Sequence, residues 1–216
     1  MTTESEPASA HLKALTEVIL KGDVEQAARL AAEMSQHRSE VNDLVDTISD
    51  TMNIVADLHE VERYSVEQVE NCERAAEKAL EVLQPKIRVE QTKVSGRVMV
   101  ASLEGDPHNF DKTLLIAMLE IGGFTALDGG IDMSPQDVAR KAAELKPDIL
   151  AVPLVTESAA NNLIETASLI GSGGPRMPII AYGKGASNLS AQAGIATVED
   201  SLGALSKIAE QLILRK

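Results

Sequence analysis

The chain has 216 residues, 44% of them hydrophobic, and 33 acidic against 20 basic side chains give it a net charge of −13. That length buries one substantial core or two modest ones, and no apolar run approaches the roughly 18 residues that span a bilayer, so no membrane role is expected. The charge is uneven: residues 1–94 hold 19 acids and 10 bases, residues 95–216 hold 14 and 10. An acidic chain without a Lys/Arg cluster is not expected to bind nucleic acid by itself. The start, Met1 to Ser9, lacks a basic segment followed by an apolar one, and the single Cys72 can form no internal disulfide. A cytoplasmic protein is expected, with Cys72 a small buried hydrophobe.

Residues 1–85 read as helix throughout. Gly22-Asp23 ends one helix and caps the next, whose stripe is Val24, Ala27, Ala28, Leu30, Ala31 and Met34. Ser39 is a plausible cap for a third helix, with Val41, Leu44, Val45, Ile48, Met52, Val55 and Leu58 at helical spacing. An interruption at Glu60 to Tyr64 precedes a fourth helix from about Ser65 to Gln84, which Pro85 is expected to end. Four helices with short connections make a bundle over 1–85.

Residues 86–95 are polar and aperiodic, and read as a linker. From 96 to 216, short apolar runs alternate with helices. Strands are expected at Val98–Leu103, Phe124–Asp128, Ile149–Leu154, Ile179–Tyr182 and Ala196–Val198, with a last helix from about Ser201 to Leu214. The alternation indicates an α/β domain, a five-stranded parallel flavodoxin-like (Rossmann-like) sheet covered on both faces. Such sheets bind ligands over their strand tips. The flexible Gly171-Ser172-Gly173-Gly174-Pro175 precedes a strand, so it is not read as a phosphate cradle.

The segment Asp106-Pro107-His108-Asn109-Phe110-Asp111-Lys112 follows the first of these strands. It places a histidine, with a carboxylate two residues earlier, on a loop at the ligand-binding edge. Histidine is the commonest metal ligand, and a nearby carboxylate fixes its tautomer and raises its basicity. No Walker A motif, strand-following GxGxxG, zinc-spaced cysteine pair or Ser-His-Asp arrangement accompanies it, so nucleotide and hydrolase chemistry have little support.

Over residues 12–214 the chain resembles the corrinoid (cobalamin-binding) proteins of methyltransferase systems. In that family D-x-H-x-x-G, S-x-L and G-G follow one another at fixed spacing. Here Asp106-x-His108-x-x-Asp111 is followed by 41 residues, by Pro153-Leu154-Val155, and by Tyr182-Gly183 or Gly183-Lys184. Glu104-Gly105, Leu119-Glu120, Gly123-Phe124 and Lys146-Pro147-Asp148-Ile149 also match. The helical half agrees through Gly22-Asp23, Met52-Asn53-Ile54-Val55 and Ala79 to Pro85.

The resemblance implies cobalamin or another corrinoid as cofactor, with His108 as the lower ligand of cobalt. Asp106 would bind the other imidazole nitrogen, with Thr156 or Ser158 extending the relay. The nucleotide tail would insert past Pro153, Val155, Tyr182 and Gly183, and the rest of the loop (Pro107, Asn109, Phe110, Asp111) would line the site. The helical cap would cover the upper corrin face through Met52 and His59. A histidine at 59 offers a second axial ligand beside its plainer reading as a polar helix-end residue. The related light-sensing B12 repressors carry W-x9-E-H in this stretch; here the positions hold His59, Val69 and Glu70, so that pattern is absent.

Three departures bear on the cofactor. Asp111 replaces a glycine, Pro153 replaces a serine whose hydroxyl would meet the tail, and one glycine of the pair is lost. The expectation is a carrier subunit, not a stand-alone enzyme, shuttling a methyl group on cobalt between donor-side and acceptor-side methyltransferases. The alternatives are a cobalamin-binding sensor acting through a partner, and a scaffold that has lost the cofactor.

Overall fold

The computed structural model describes residues 5–35, 38–89, 96–106, 109–154, 156–172, 177–183, 186, 189, 195–198, 209 and 213. The chain divides into two compact units, residues 1–90 and 91–216.

The first unit is all helix: α1 (Ser5–Leu20), α2 (Val24–Met34), α3 (Arg38–Glu60) and α4 (Val66–Val89). Gly22 takes φ +68° after α1, its N–H bonding the Ile19 carbonyl while Asp23 N–H reaches Val18, which is how a glycine closes a helix. The Asp23 carboxylate then accepts from Gln26 N–H at 3.1 Å and starts α2. At α4 the cap is reciprocal: Gln68 N–H donates to Ser65 Oγ, and Ser65 N–H to Gln68 Oε1. α4 packs against α2 and α3, and α1 against α2 and α3, around Leu15, Ile19, Leu44, Ile48, Leu80 and Leu83.

Two expectations are corrected here. The third helix begins at Arg38, so Ser39 lies in its first turn instead of capping it. Pro85 does not end α4, which runs on to Val89. A helical proline loses one backbone bond, but continuation buries Ile87 and lets the Lys86 ammonium donate to the Ser35 carbonyl at the end of α2.

The second unit is a parallel sheet of β1 (Arg97–Leu103), β2 (Thr125–Met133), β3 (Ile149–Pro153), β4 (Ile179–Tyr182) and β5 (Ile195–Val198), in the order β2-β1-β3-β4-β5. The crossover helices are α5 (Asn109–Ile121), α6 (Pro135–Leu145) and α7 (Glu157–Ser172). This is the flavodoxin-like order, and its switch point falls between β1 and β3. Met99, Ala101 and Leu103 of β1 join Leu150 and Val152 of β3 in the cluster under α6 and α7. Strand alternation turns Val98, Val100 and Ser102 to the opposite face. The expected C-terminal helix lies outside the described residues except for the helical Ala209 and Ile213.

β2 is longer than its apolar run predicts. It continues past Asp128 through Gly129-Gly130 to Met133, with the register to β1 shifting on either side of Ala101. A Cβ at Gly129 would stand 2.6 Å from Ala101 Cβ, and Gly130 takes φ +108°, so the glycines let the strand bend and carry on. Among the described residues no helix is long and apolar enough to cross a membrane.

Candidate corrinoid site at the carboxyl edge of the sheet

The loop after β1 is fastened on two sides. Asp106 N–H closes a turn on the Leu103 carbonyl at 3.0 Å, and Gly105 adopts φ +86° between them. From the β3 side, Thr156 Oγ1 donates to the Gly105 carbonyl at 3.0 Å and accepts from Ala159 N–H at 3.2 Å, so one hydroxyl caps α7 and holds the loop. Asn162 Nδ2 donates to the Glu104 carbonyl at 2.8 Å. From the β2 side, Asp132 accepts from Gly105 N–H at 3.3 Å, and Glu104 N–H reaches the Met133 carbonyl at 2.9 Å. These ties converge on the switch point, where Asp106 is buried to 1% exposure.

Asp132 holds this position at φ +51°, a left-handed conformation that aspartate tolerates better than most residues. Sequence reasoning missed it; its signal was an aspartate two residues beyond a Gly-Gly pair. It also missed Lys112, whose buried stem carries an ammonium 2.7 Å from Asp128 Oδ1. Burial alone would push the Asp128 carboxyl up, but the bonds from Lys112 and from Gly130 N–H hold it below the usual carboxylate range.

The structure brings Asp106, Thr156, Pro153, Tyr182 and Gly183 to the same edge. Pro153 pairs with Tyr182, and Leu154 N–H bonds the Tyr182 carbonyl at 2.7 Å, so β3 and β4 remain joined to their tips. The last β1–β3 pair is Val100 with Ala151, which puts the missing Pro153 donor at the strand's end. Gly183 takes φ +108°, and a Cβ there would lie 3.0 Å from the Leu154 carbonyl oxygen. Asn109, Phe110 and Asp111 form the first turn of α5, Phe110 buried and Asp111 where the helix dipole favours an acid. Asp111 thus stands in ordinary helical backbone, and its replacement of glycine strains nothing. Thr156 directs its hydroxyl hydrogen to Gly105 and not to Asp106. Pro107, His108 and Val155 lie outside the described residues.

Met52 and His59 belong to the helical unit, seven residues apart on α3, half-buried and exposed respectively. His59 Nδ1 lies 2.9 Å from the Tyr64 carbonyl. A carbonyl only accepts, so Nδ1 carries the hydrogen, and in the neutral ring Nε2 keeps its lone pair.

Ser102, the penultimate residue of β1, is completely buried and its Oγ has no hydrogen-bond partner among the described residues. A hydroxyl buried this way costs about 1–3 kcal/mol. An orphaned hydroxyl at the switch point, a buried carboxylate on the adjoining loop, and a glycine where β4 passes close to Leu154 fit a large ligand that needs polar recognition and close backbone approach.

A helical unit joined to a doubly wound domain with such an edge defines the class: a two-domain, switch-point ligand-binding protein. One B12 binding domain family matches residues 96–201, and a second B12 binding domain family matches residues 11–84. Together they take in most of the sequence, so the chain is similar to a B12 binding domain in each of its two units. Trimethylamine corrinoid protein 2 of Methanosarcina acetivorans is 34% identical over 104 residues, 47% of this chain and 48% of that protein. The chain thus spans about half the length of this curated relative in the match. The structure of the Methanosarcina barkeri monomethylamine corrinoid protein shares the fold at a TM-score of 0.78, with 22% identity, over 92% of this chain and 96% of that one. A methanol:cobalamin methyltransferase complex from the same organism gives a TM-score of 0.50 at 19% identity, over 99% and 82%.

Proposed function

We propose that this chain is the corrinoid carrier subunit of a methyltransferase system, receiving a methyl group from one partner methyltransferase and delivering it to another. The observation that carries the reading is the buried Asp106, held at the β1/β3 switch point two residues before the sole histidine of residues 91–216. When bound, a corrinoid supplies a cobalt centre that accepts and gives up methyl groups. His108 would hold the cobalt, and Asp106 would accept the hydrogen of the other ring nitrogen, fixing the tautomer and strengthening the imidazole as a donor. Thr156, Asn162 and Asp132 would keep that loop in place. The similarity to methylamine corrinoid proteins supports methyltransferases as partners and small methylated amines as the donor class. The acidic helical unit is the proposed docking face, and the cytoplasm the proposed compartment.

The test is stoichiometric. Protein loaded with hydroxocobalamin, reduced, and mixed with trimethylamine and a trimethylamine methyltransferase should yield about one dimethylamine per protein, the methyl group remaining with the loaded protein. Tight cobalamin binding without demethylation of any methylamine or methanol would contradict the carrier role. That result would favour a second reading, a corrinoid sensor, which His59 supports as an exposed residue whose Nδ1 is engaged by the Tyr64 carbonyl, leaving the Nε2 lone pair as the one that could ligate a metal.

A further inference from the structure

We infer that Ser102 is a binding residue for the nucleotide tail of the corrinoid, its hydroxyl donating to an accepting nitrogen of the tail's aromatic base. The inference rests on the corrinoid reading and deepens it. Buried hydroxyls are almost always bonded, and Ser102, at 0% exposure, has no hydrogen-bond partner among the described residues. Its direction follows from the strand. Met99, Ala101 and Leu103 point into the cluster under α6 and α7, so Ser102 faces the side that α5 covers.

Continuing the Val100–Ala151 register by two residues sets Ser102 across from Pro153, which in turn pairs with Tyr182. The three form one row along the carboxyl edge on one face. Pro153 has no donor in its ring or its backbone, so of the two strands that flank the switch point, β1 and β3, it is β1 that brings a hydroxyl to the row, through Ser102, while the Tyr182 hydroxyl belongs to β4. Ser102 also adjoins Leu103, whose carbonyl receives the Asp106 N–H. A tail base on Ser102 and the loop that carries Asp106 therefore share one turn of chain, and seating the tail would steady that loop.

The experiment compares wild type with Ser102→Ala in the full chain, titrated with cobalamin and with cobinamide, which lacks the nucleotide tail, beside the melting temperature of the cofactor-free protein. Loss of one neutral hydrogen bond predicts about tenfold weaker cobalamin binding, unchanged cobinamide binding, and a cofactor-free melting temperature equal to or above wild type. Equal cobalamin affinity in the two proteins overturns the assignment while leaving the corrinoid reading intact. Equal weakening toward both corrinoids with a lower melting temperature also overturns it, because Ser102 would then be structural. A wild type that binds neither corrinoid overturns the corrinoid reading and this inference with it.

Discussion

In the helical unit, buried Ser35 and Thr51 each return a hydroxyl to their own turn, to Ala32 at 3.3 Å and Thr47 at 2.7 Å, while the Tyr64 hydroxyl donates to the Leu20 carbonyl at 3.0 Å. Within α7 of the second unit, buried Thr166 does the same with Asn162 at 2.7 Å. At the sheet's carboxyl edge the pattern changes: Ser102, Asp106 and Lys112 are all buried close to the switch point, and the Ser102 hydroxyl has no hydrogen-bond partner among the described residues. A helix satisfies an internal hydroxyl from its own carbonyls. A strand has its carbonyls engaged with neighbouring strands, so a hydroxyl buried on its face depends on whatever packs against that face. The contrast separates polar groups that serve the fold from one the fold leaves open.

The largest effect is expected where the edge is tightest. Gly183→Ala would force a side chain into φ +108° and against the Leu154 carbonyl, and urea denaturation should show a loss of about 1–3 kcal/mol. A loss near zero would mean that β3 and β4 part freely at their tips. A smaller effect sharpens the comparison directly. Thr51→Val should cost about 1 kcal/mol, because it removes satisfied bonds to Thr47 and Thr16, whereas Ser102→Ala should cost nothing. Equal losses would erase the distinction between a hydroxyl satisfied within its helix and one the strand leaves open.

The smallest effects are electrostatic and opposite in sign. Asp46 on α3 has its carboxyl pushed up by burial, then by the charges of Asp50 and Asp43. Its ionised form is therefore a penalty at neutral pH that disappears as pH falls below the unfolded value of about 3.9. Asp128 is the reverse: its carboxyl lies low, and its contribution is present above about pH 3.9 and lost as pH falls through its folded value. Asp46→Asn should raise the melting temperature at pH 7 and Asp128→Asn should lower it. Both differences should close as the scans are repeated toward pH 3.

The helical unit was legible wherever a single residue decides a boundary, as at Gly22, Asp23 and Ser65. It misled at Pro85, because the gain from burying Ile87 and from the Lys86–Ser35 bond depends on where α2 ends, which local sequence does not state. Likewise Gly129-Gly130 reads as a strand's end until the close approach of Ala101 is known. The Asp106-to-Asp111 segment stood out as a ligand loop from its place after an apolar run. Asp132 and Lys112 did not, since their roles arise from partners 27 and 16 residues away. Ser102 was read as part of an apolar strand, and nothing in a linear sequence distinguishes a satisfied hydroxyl from an orphaned one.

The central claim, a corrinoid held over the β1/β3 switch point through His108 and Asp106, is tested most directly by titrating wild type, His108→Ala and Asp106→Asn with hydroxocobalamin and following the absorption spectrum. The account predicts a saturable spectral shift in wild type, its loss in His108→Ala, and a weakened, altered shift in Asp106→Asn. A wild-type shift that survives unchanged in His108→Ala, or no shift at all, would contradict it.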